Sequence, residues 1–305
     1  MAVQPVGRAG RIFPAAVARR RQWDTLPYAL ILPSLVLIAL VELYPFALGF
    51  TYSLRDGTLL NAGAWVGIQN YVDLIALPQF QHALYFSAVF AAGNVVGSYV
   101  LGLALALLLN RRDIPARGFF RVAMLLPWII PSIVSITSWR WLIGDQYGLV
   151  NGVLQAVGLG PIYFLSSDGW AMFSVTLIKI WRSFPFMMLS LLAALSSIDA
   201  ALYEAARVDG AGRWQAFRFV TLPHLRIISV VLCILMTIYS VNDFDTPWLL
   251  TQGGPANATE NLIVLAYKYT FTVSKVGMGS AISFFTLIVM MVCVMFLLRE
   301  QKEEA

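Results

Sequence analysis

Charge is scarce in this chain of 305 residues. Only 12% of it is Asp, Glu, Lys or Arg, against 59% hydrophobic residues and a mean hydropathy of +0.74. A soluble domain carries about a quarter charged residues, so this sequence cannot clothe a globule in polar surface and reads as an integral membrane protein. Cysteine and histidine are scarcer still, with two of each. Cys233 and Cys293 both sit in apolar runs, where a thiol packs as a small hydrophobe, and no CxxC accompanies them. His82 and His224 each stand alone at the edge of an apolar run and read as interface residues. The sequence has no HExxH, no P-loop and no GxGxxG opening a helix. No metal, nucleotide or catalytic motif is therefore on offer, and the chain is expected to hold no cofactor and to catalyse nothing itself.

Long apolar runs are what it has. Crossing about 30 Å of hydrocarbon takes about 20 residues. Six runs qualify, near 27–50, 83–109, 119–143, 170–195, 225–250 and 279–298. The expected fold class is an all-α membrane protein with six transmembrane helices. Pro45, Pro127, Pro131, Pro185 and Pro247 lie within or at the ends of these runs. Such prolines are tolerated where neighbours or a cavity satisfy the freed carbonyls, which suggests kinked helices around a pathway. The first run follows Arg8, Arg11, Arg19, Arg20 and Arg21, as in a signal peptide. It is too long for a signal h-region and no small-x-small site closes it, so it is expected to be retained. The segment 1–26 reads either as an amphipathic stretch using Ile12, Phe13 and Val17 or as a disordered tail.

Positive charge gives an orientation. Of 21 Lys and Arg, fifteen fall in the N-terminal segment, near 110–121, in the polar stretch around 196–224 with Arg226, and in the tail 299–305. The intervening loops hold only Arg55, Lys268 and Lys275. Cytoplasmic loops carry the excess of Lys and Arg, so both termini are expected in the cytoplasm. The pI near 9.3 is explained by topology, without nucleic acid.

The polar stretch contains "ALYEAARVDGAGRWQAFRFVTLPHL", residues 201–225. Asp199 can cap a helix starting at Ala200, and Gly210 stands where a left-handed C-terminal residue belongs. A second short helix is expected from about Arg213 to Val220, with Pro223 opening the next span. On the first helix Leu202, Ala205 and Ala206 share a low face. That pattern alone also suits an amphipathic linker resting on lipid headgroups. The spacing is more specific. Glu204-Ala205-Ala206, three residues, Gly210, nine residues, Val220, one residue and Leu222-Pro223 resembles the EAA loop of ABC importer permeases, with Val220 where isoleucine is usual. The resemblance implies a coupling helix seated in a groove of a cytoplasmic ATPase, with Leu202, Glu204, Ala205, Ala206, Asp209 and Gly210 as its coupling residues.

Three further stretches, "GFFRVAMLLPWIIPSIVSITSWRWL", "IWRSFPFMML" and "LLTQGGPANATENL", are similar to carbohydrate-importing permeases of the maltose and glycerol-phosphate type. The likeness runs from about 28 to 298 and is to the first, maltose-F-like subunit in a minimal six-span form. It implies a type I importer permease in a bacterial plasma membrane, paired with a second permease subunit. It also implies two ATPase subunits that bind ATP and Mg, and an extracellular solute-binding lipoprotein. A disaccharide such as trehalose or maltose is the implied cargo, with glycerol phosphate or a polyol as the alternative. An ion-coupled secondary transporter would call for inverted repeats, and none is evident. A membrane-embedded enzyme would rest on Asn242, Asp243 and Asp245 without a partnering histidine.

A sugar pathway needs aromatic faces and a few polar groups for hydroxyls, and polar residues at membrane depth usually face a cavity or partner. Trp128, Lys179, Trp181, Arg182, Ser183, Phe186, Tyr239, Ser240, Asn242, Asp243 and Asp245 meet that description. By the resemblance Trp128, Lys179, Arg182, Ser183, Phe186, Met236, Tyr239 and Ser240 fall where the maltose permease lines its sugar site. The cations at 179 and 182 depart from that site and leave two readings, sugar contact or ion pairing with Asp243 or Asp245. Gly93, Gly97 and Gly102 allow close helix contact, within the bundle or with the second permease. The "TQGGP" stretch reads as a tight turn or as a contact for the binding protein.

Overall fold

A computed structural model of the chain describes residues 26–111 and 113–303. The basic segment before Leu26, with Ile12, Phe13 and Val17, lies outside the described residues, as do Arg112 and the last two residues. The chain forms two compact units, up to Ala47 and from Leu48 onward, and each is described by itself.

In the first unit α1 (Leu26–Ile38) passes into a π-turn, Ala39–Leu43, and then into the start of α2 (Tyr44–Ser53). The Tyr44 N–H donates to the Ala39 carbonyl, five residues back instead of four. Pro45 follows directly. A proline has no N–H to give and its ring crowds the carbonyl four residues behind, so a wider turn just ahead of it relieves the conflict.

The second unit is helical throughout its regular structure. After α3 (Gln69–Ala76) and α4 (Pro78–Asn110) come three short helices, α5 (Arg117–Ala123), α6 (Leu126–Ile129) and α7 (Ser132–Leu142). Then follow α8 (Leu149–Ala156), α9 (Asp168–Ser196), α10 (Ala200–Val208), α11 (Arg213–Ala216) and α12 (Leu222–Val241). The chain ends with α13 (Asp245–Thr251), α14 (Leu262–Tyr267) and α15 (Val276–Glu303). Among the described residues five helices are long and apolar enough to cross a membrane, and a bent pair makes a sixth.

That bent pair occupies the third run, 119–143, where Pro127 and Pro131 lie. Arg117–Ile129 and Ser132–Leu142 meet at 92°. Ile130 is extended, at φ −65° and ψ 131°, because the residue before a proline avoids the helical region. The fifth run is divided as well. Asn242 turns its amide back to the Ile238 carbonyl at 3.0 Å, and the Asp243 carboxylate accepts from the Thr246 N–H at 3.2 Å. Short Asx side chains offer the backbone an alternative to the helix ladder, and here they end α12 and restart the chain as α13. At its other end this helix is longer than expected. Pro223 does not open a new span, since residues Arg213–Val241 form one unbroken helix. A π-turn at Phe217–Thr221, with the Leu222 N–H on the Phe217 carbonyl, accommodates the proline in the manner seen before Pro45.

Lipid tails are as apolar as leucine, so helices in a membrane associate through close packing and hydrogen bonds. Helices α4 and α9 run side by side in the same direction, with Gly93, Gly97 and Gly102 against Thr176, Ile180 and Met187. A Cβ on Gly102 would stand 2.7 Å from the Met187 Cβ and 2.9 Å from the Met188 backbone nitrogen. These glycines therefore serve contact within the bundle. Met187, Met188, Leu191 and Leu195 of α9 then close on Leu225, Leu232 and Met236 of α12. Gly102→Ala should cost about 1–3 kcal/mol by overpacking. Gly152→Ala, whose added carbon meets nothing within 4 Å, should be neutral. Thermal unfolding of the two variants in detergent compares them, and equal midpoints would contradict the tight α4–α9 contact.

Candidate functional site

A cavity of about 400 Å3 opens where α6, α9 and the break between α12 and α13 meet. Helix α9 contributes Lys179, Arg182, Ser183 and Phe186, spaced i, i+3, i+4 and i+7 and so lying on one face. Helix α12 adds Met236 and Tyr239, the break adds Asn242, Asp243 and Phe244, α13 adds Asp245, and Trp128 comes from α6. The bend at Ile130 is what lets the short α6 present Trp128 here. Its ring lies 5.9 Å from that of Phe186, centroid to centroid.

The polar lining is ordered around Asp243. Lys179 Nζ stands 2.9 Å from its Oδ2, and the two side chains are only 11% and 6% exposed. The same Oδ2 accepts from the Thr246 hydroxyl at 2.6 Å, and the Asp243 carbonyl accepts from the Asn261 amide at 2.7 Å. Lys179 also donates to the Tyr239 carbonyl at 3.4 Å, where the C-terminal end of α12 favours a cation. Arg182 behaves differently. It reaches the Thr246 hydroxyl at 3.4 Å, while its Nε is buried without a hydrogen-bond partner among the described residues. Asp245 instead accepts from the Ser132 hydroxyl at 2.6 Å, which ties α7 to α13. Of the two cations left open above, Lys179 is ion-paired and Arg182 has no carboxylate within ion-pair distance among the described residues.

Two residues expected at the pathway lie outside the lining. Ser240 is fully buried; its hydroxyl accepts from the Asn94 amide at 2.8 Å and donates to the Met236 carbonyl at 2.6 Å. Trp181 packs edge-on against Trp139. Phe244 was not anticipated, because nothing distinguishes it from other aromatics in an apolar run except its place between two aspartates. It stacks on Trp248 and leans on Tyr267.

The polar stretch 196–224 forms at the other end of α9. Asp199 accepts from the Ala201 N–H at 2.9 Å, and Gly210 takes φ +81°, as capping and turn chemistry anticipate. The Tyr203 hydroxyl is 2.9 Å from that of Thr221, which pins α10 to the helix that follows. This tether sets the rotation of α10. Ala206 turns inward to half-burial, while Leu202 and Ala205 stay exposed and Val208 is 88% exposed. The outward apolar rim therefore includes Val208 in place of Ala206. Glu204 and Arg207 lie 3.8 Å apart with both side chains largely exposed, a pair worth little. Asp209 is exposed beside Gly210.

Residues 98–300 match the family model described as "Binding-protein-dependent transport system inner membrane component". The trehalose/maltose transport system permease protein of Thermococcus litoralis is 36% identical over 267 residues, covering 87% of this chain and 90% of that protein. The diacetylchitobiose uptake system permease protein of Streptomyces coelicolor is 31% identical over 291 residues, covering 93% and 89%. Among solved structures, a bacterial ABC transporter chain involved in the import of the acidic polysaccharide alginate superposes with a TM-score of 0.80. It covers 92% of this chain and 96% of that one, at 24% identity, and so shares the fold.

Removing one partner of a buried ion pair strands the other charge, at a cost of about 3–5 kcal/mol. Lys179→Met should lose stability of that order, and the double variant K179M/D243N should lose less than K179M alone. Chemical or thermal unfolding across the double-mutant cycle measures this, and simple additivity would show that the two charges are not coupled.

Proposed function

The chain belongs to the family of binding-protein-dependent transport system inner membrane components, and from that membership we propose that it is a sugar importer's permease subunit, forming half of the pathway for a neutral disaccharide such as trehalose or maltose. It is a multi-pass protein of the bacterial plasma membrane. The observation that carries the sugar reading is the composition of the cavity at the broken fifth helix. Trp128, Phe186 and Tyr239 offer ring faces, and Ser183 and Asn242 offer partners for hydroxyls. A volume near 400 Å3 lies within the usual range for ligand sites, about 300–1,000 Å3. Lys179 and Arg182 are balanced in number by Asp243 and Asp245, so the lining carries no net charge and suits an uncharged sugar. The unpartnered Nε of Arg182 favours a second reading, a cargo with one anionic substituent such as glycerol phosphate.

Coupling follows from continuity. On the positive-inside orientation both termini and α10 are cytoplasmic. Helix α10 docks on an ATPase subunit through Leu202 and Ala205, with Glu204 and Asp209 on its exposed side, and Ala206 and Gly210 hold its shape. ATP and Mg belong to two such subunits, a second permease completes the pathway, and a solute-binding protein delivers the sugar from outside. The unbroken helix Arg213–Val241 leads from this joint to Asn242 at the cavity, roughly 40 Å at 1.5 Å per residue. A stiff rod of that length passes a displacement on, where a loose loop would absorb it.

Reconstitution with the partner subunits in proteoliposomes tests both halves. Trp128→Ala and Phe186→Ala should each raise the sugar concentration for half-maximal uptake about tenfold, through loss of a stacking face. A response to glycerol phosphate but to no sugar would transfer the assignment to the second reading. Gly210→Val should retain ATP hydrolysis while losing uptake, since φ +81° is strained for a β-branched residue. Uptake at the parental rate in that variant would refute the coupling role.

A further inference from the structure

A second cavity, of about 380 Å3, lies at the α10 end of the bundle, apart from the site above. Its walls come from the ends of four elements: Asn110 of α4, Arg117 and Arg121 of α5, Leu195 and Ser196 of α9, and Tyr203 of α10. No aspartate or glutamate lines it. The two arginines stand at i and i+4, which places like charges side by side on one helix face. Arg121 gives one terminal nitrogen to the Leu109 carbonyl at 2.8 Å, and its Nε is buried with no partner among the described residues. Arg117 and the Asn110 amide have no hydrogen-bond or ion-pair partner among the described residues. The carboxylates nearby in sequence are committed elsewhere, Asp113 to Arg111 and Asp199 to the first turn of α10. Two guanidinium groups and an amide thus converge on a space with no anion in its walls.

The outer side of α5 indicates which anion. Phe119 is 70%, Phe120 43% and Val122 64% exposed, on the same short helix that turns its arginines into the cavity. A free inorganic anion would have no use for that apolar side. A phospholipid uses both, with its phosphate on the guanidinium groups and its chains along the phenylalanines. Arginine meets phosphate through paired, charge-assisted hydrogen bonds, and basic pockets between transmembrane helices hold anionic headgroups in this way.

We propose that this cavity binds the phosphate of one anionic phospholipid, through Arg117, Arg121 and Asn110, and so clamps α5 to the α9–α10 joint. The inference goes beyond the transport reading and does not depend on it, because binding needs neither sugar nor ATPase. Arg121 also caps α4 through Leu109, so Arg117 carries the test. The full chain, purified in neutral detergent and stripped of lipid, is titrated with phosphatidylglycerol, with phosphatidylcholine and with inorganic phosphate, and bound lipid is counted by native mass spectrometry. One phosphatidylglycerol should bind in clear preference to phosphatidylcholine. Arg117→Gln should weaken it about fivefold, the effect of one arginine at an anionic surface, while the unfolding midpoint without lipid stays unchanged. Equal binding of the two lipids, or phosphatidylglycerol binding undiminished in R117Q, would overturn the proposal. Displacement of phosphatidylglycerol by equimolar inorganic phosphate would also overturn it, assigning the cavity to a soluble phosphate.

Discussion

The architecture around the first cavity hangs on one buried carboxylate. Asp243 sits in the break of the fifth helix and would be costly there without compensation. Lys179 from α9 supplies the countercharge, Thr246 supplies two hydrogen bonds from α13, and Asn261 holds the Asp243 carbonyl from the chain beyond. Asn261 also caps α14 through the Val264 N–H. Three other stretches, α9, α13 and the start of α14, are therefore located by one residue. The helix breaks because Asp243 and Asn242 turn their side chains on the backbone, and the cavity exists because the helix breaks. A continuous fifth helix would bury these polar groups in packing and leave no lining to recognise anything.

Further from the cavity the same economy of polar contacts recurs. Glu260 is fully buried and accepts from Gln79 at the start of α4 and from Lys268 beyond α14. Thr259, also fully buried, shares its hydroxyl with Thr251 and the Gly254 carbonyl. The "TQGGP" stretch is thus a turn knotted from inside as well as a stop for α13. Since apolar burial gives helices little reason to associate in lipid, these hydrogen bonds and the glycine contacts of α4 carry the specificity of the bundle.

Much of this was legible in the sequence because the relevant rules are local. Asp199 and Gly210 announce the two ends of α10, and the period of α9 places Lys179, Arg182, Ser183 and Phe186 on one side. The apolar runs mark the spans. Hydropathy is blind to chain direction, however, so the 92° bend at Ile130 shows only through Pro127 and Pro131, and the break at Asn242 does not show at all. The missing donor of Pro223 argues for a boundary there; a widened turn upstream satisfies the backbone instead. The outward face of α10 depends on the Tyr203–Thr221 tether, a contact between positions 18 apart that no helical period reveals. Ser240 lies outside the cavity lining for a similar reason, since Asn94 of α4 claims it.

The π-turn at Phe217–Thr221 has a geometric effect that outlasts its five residues. A single wide turn takes in one residue more than the helix needs, and one residue is about 100° of rotation. Everything beyond it on α12 is dialled around the axis by that amount relative to an uninterrupted helix starting at Arg213. The face that carries Met236 and Tyr239 into the cavity is consequently chosen some twenty residues earlier, at the base of the rod. The turn before Pro223 works as a phase setting, fixing which side of a long helix looks inward.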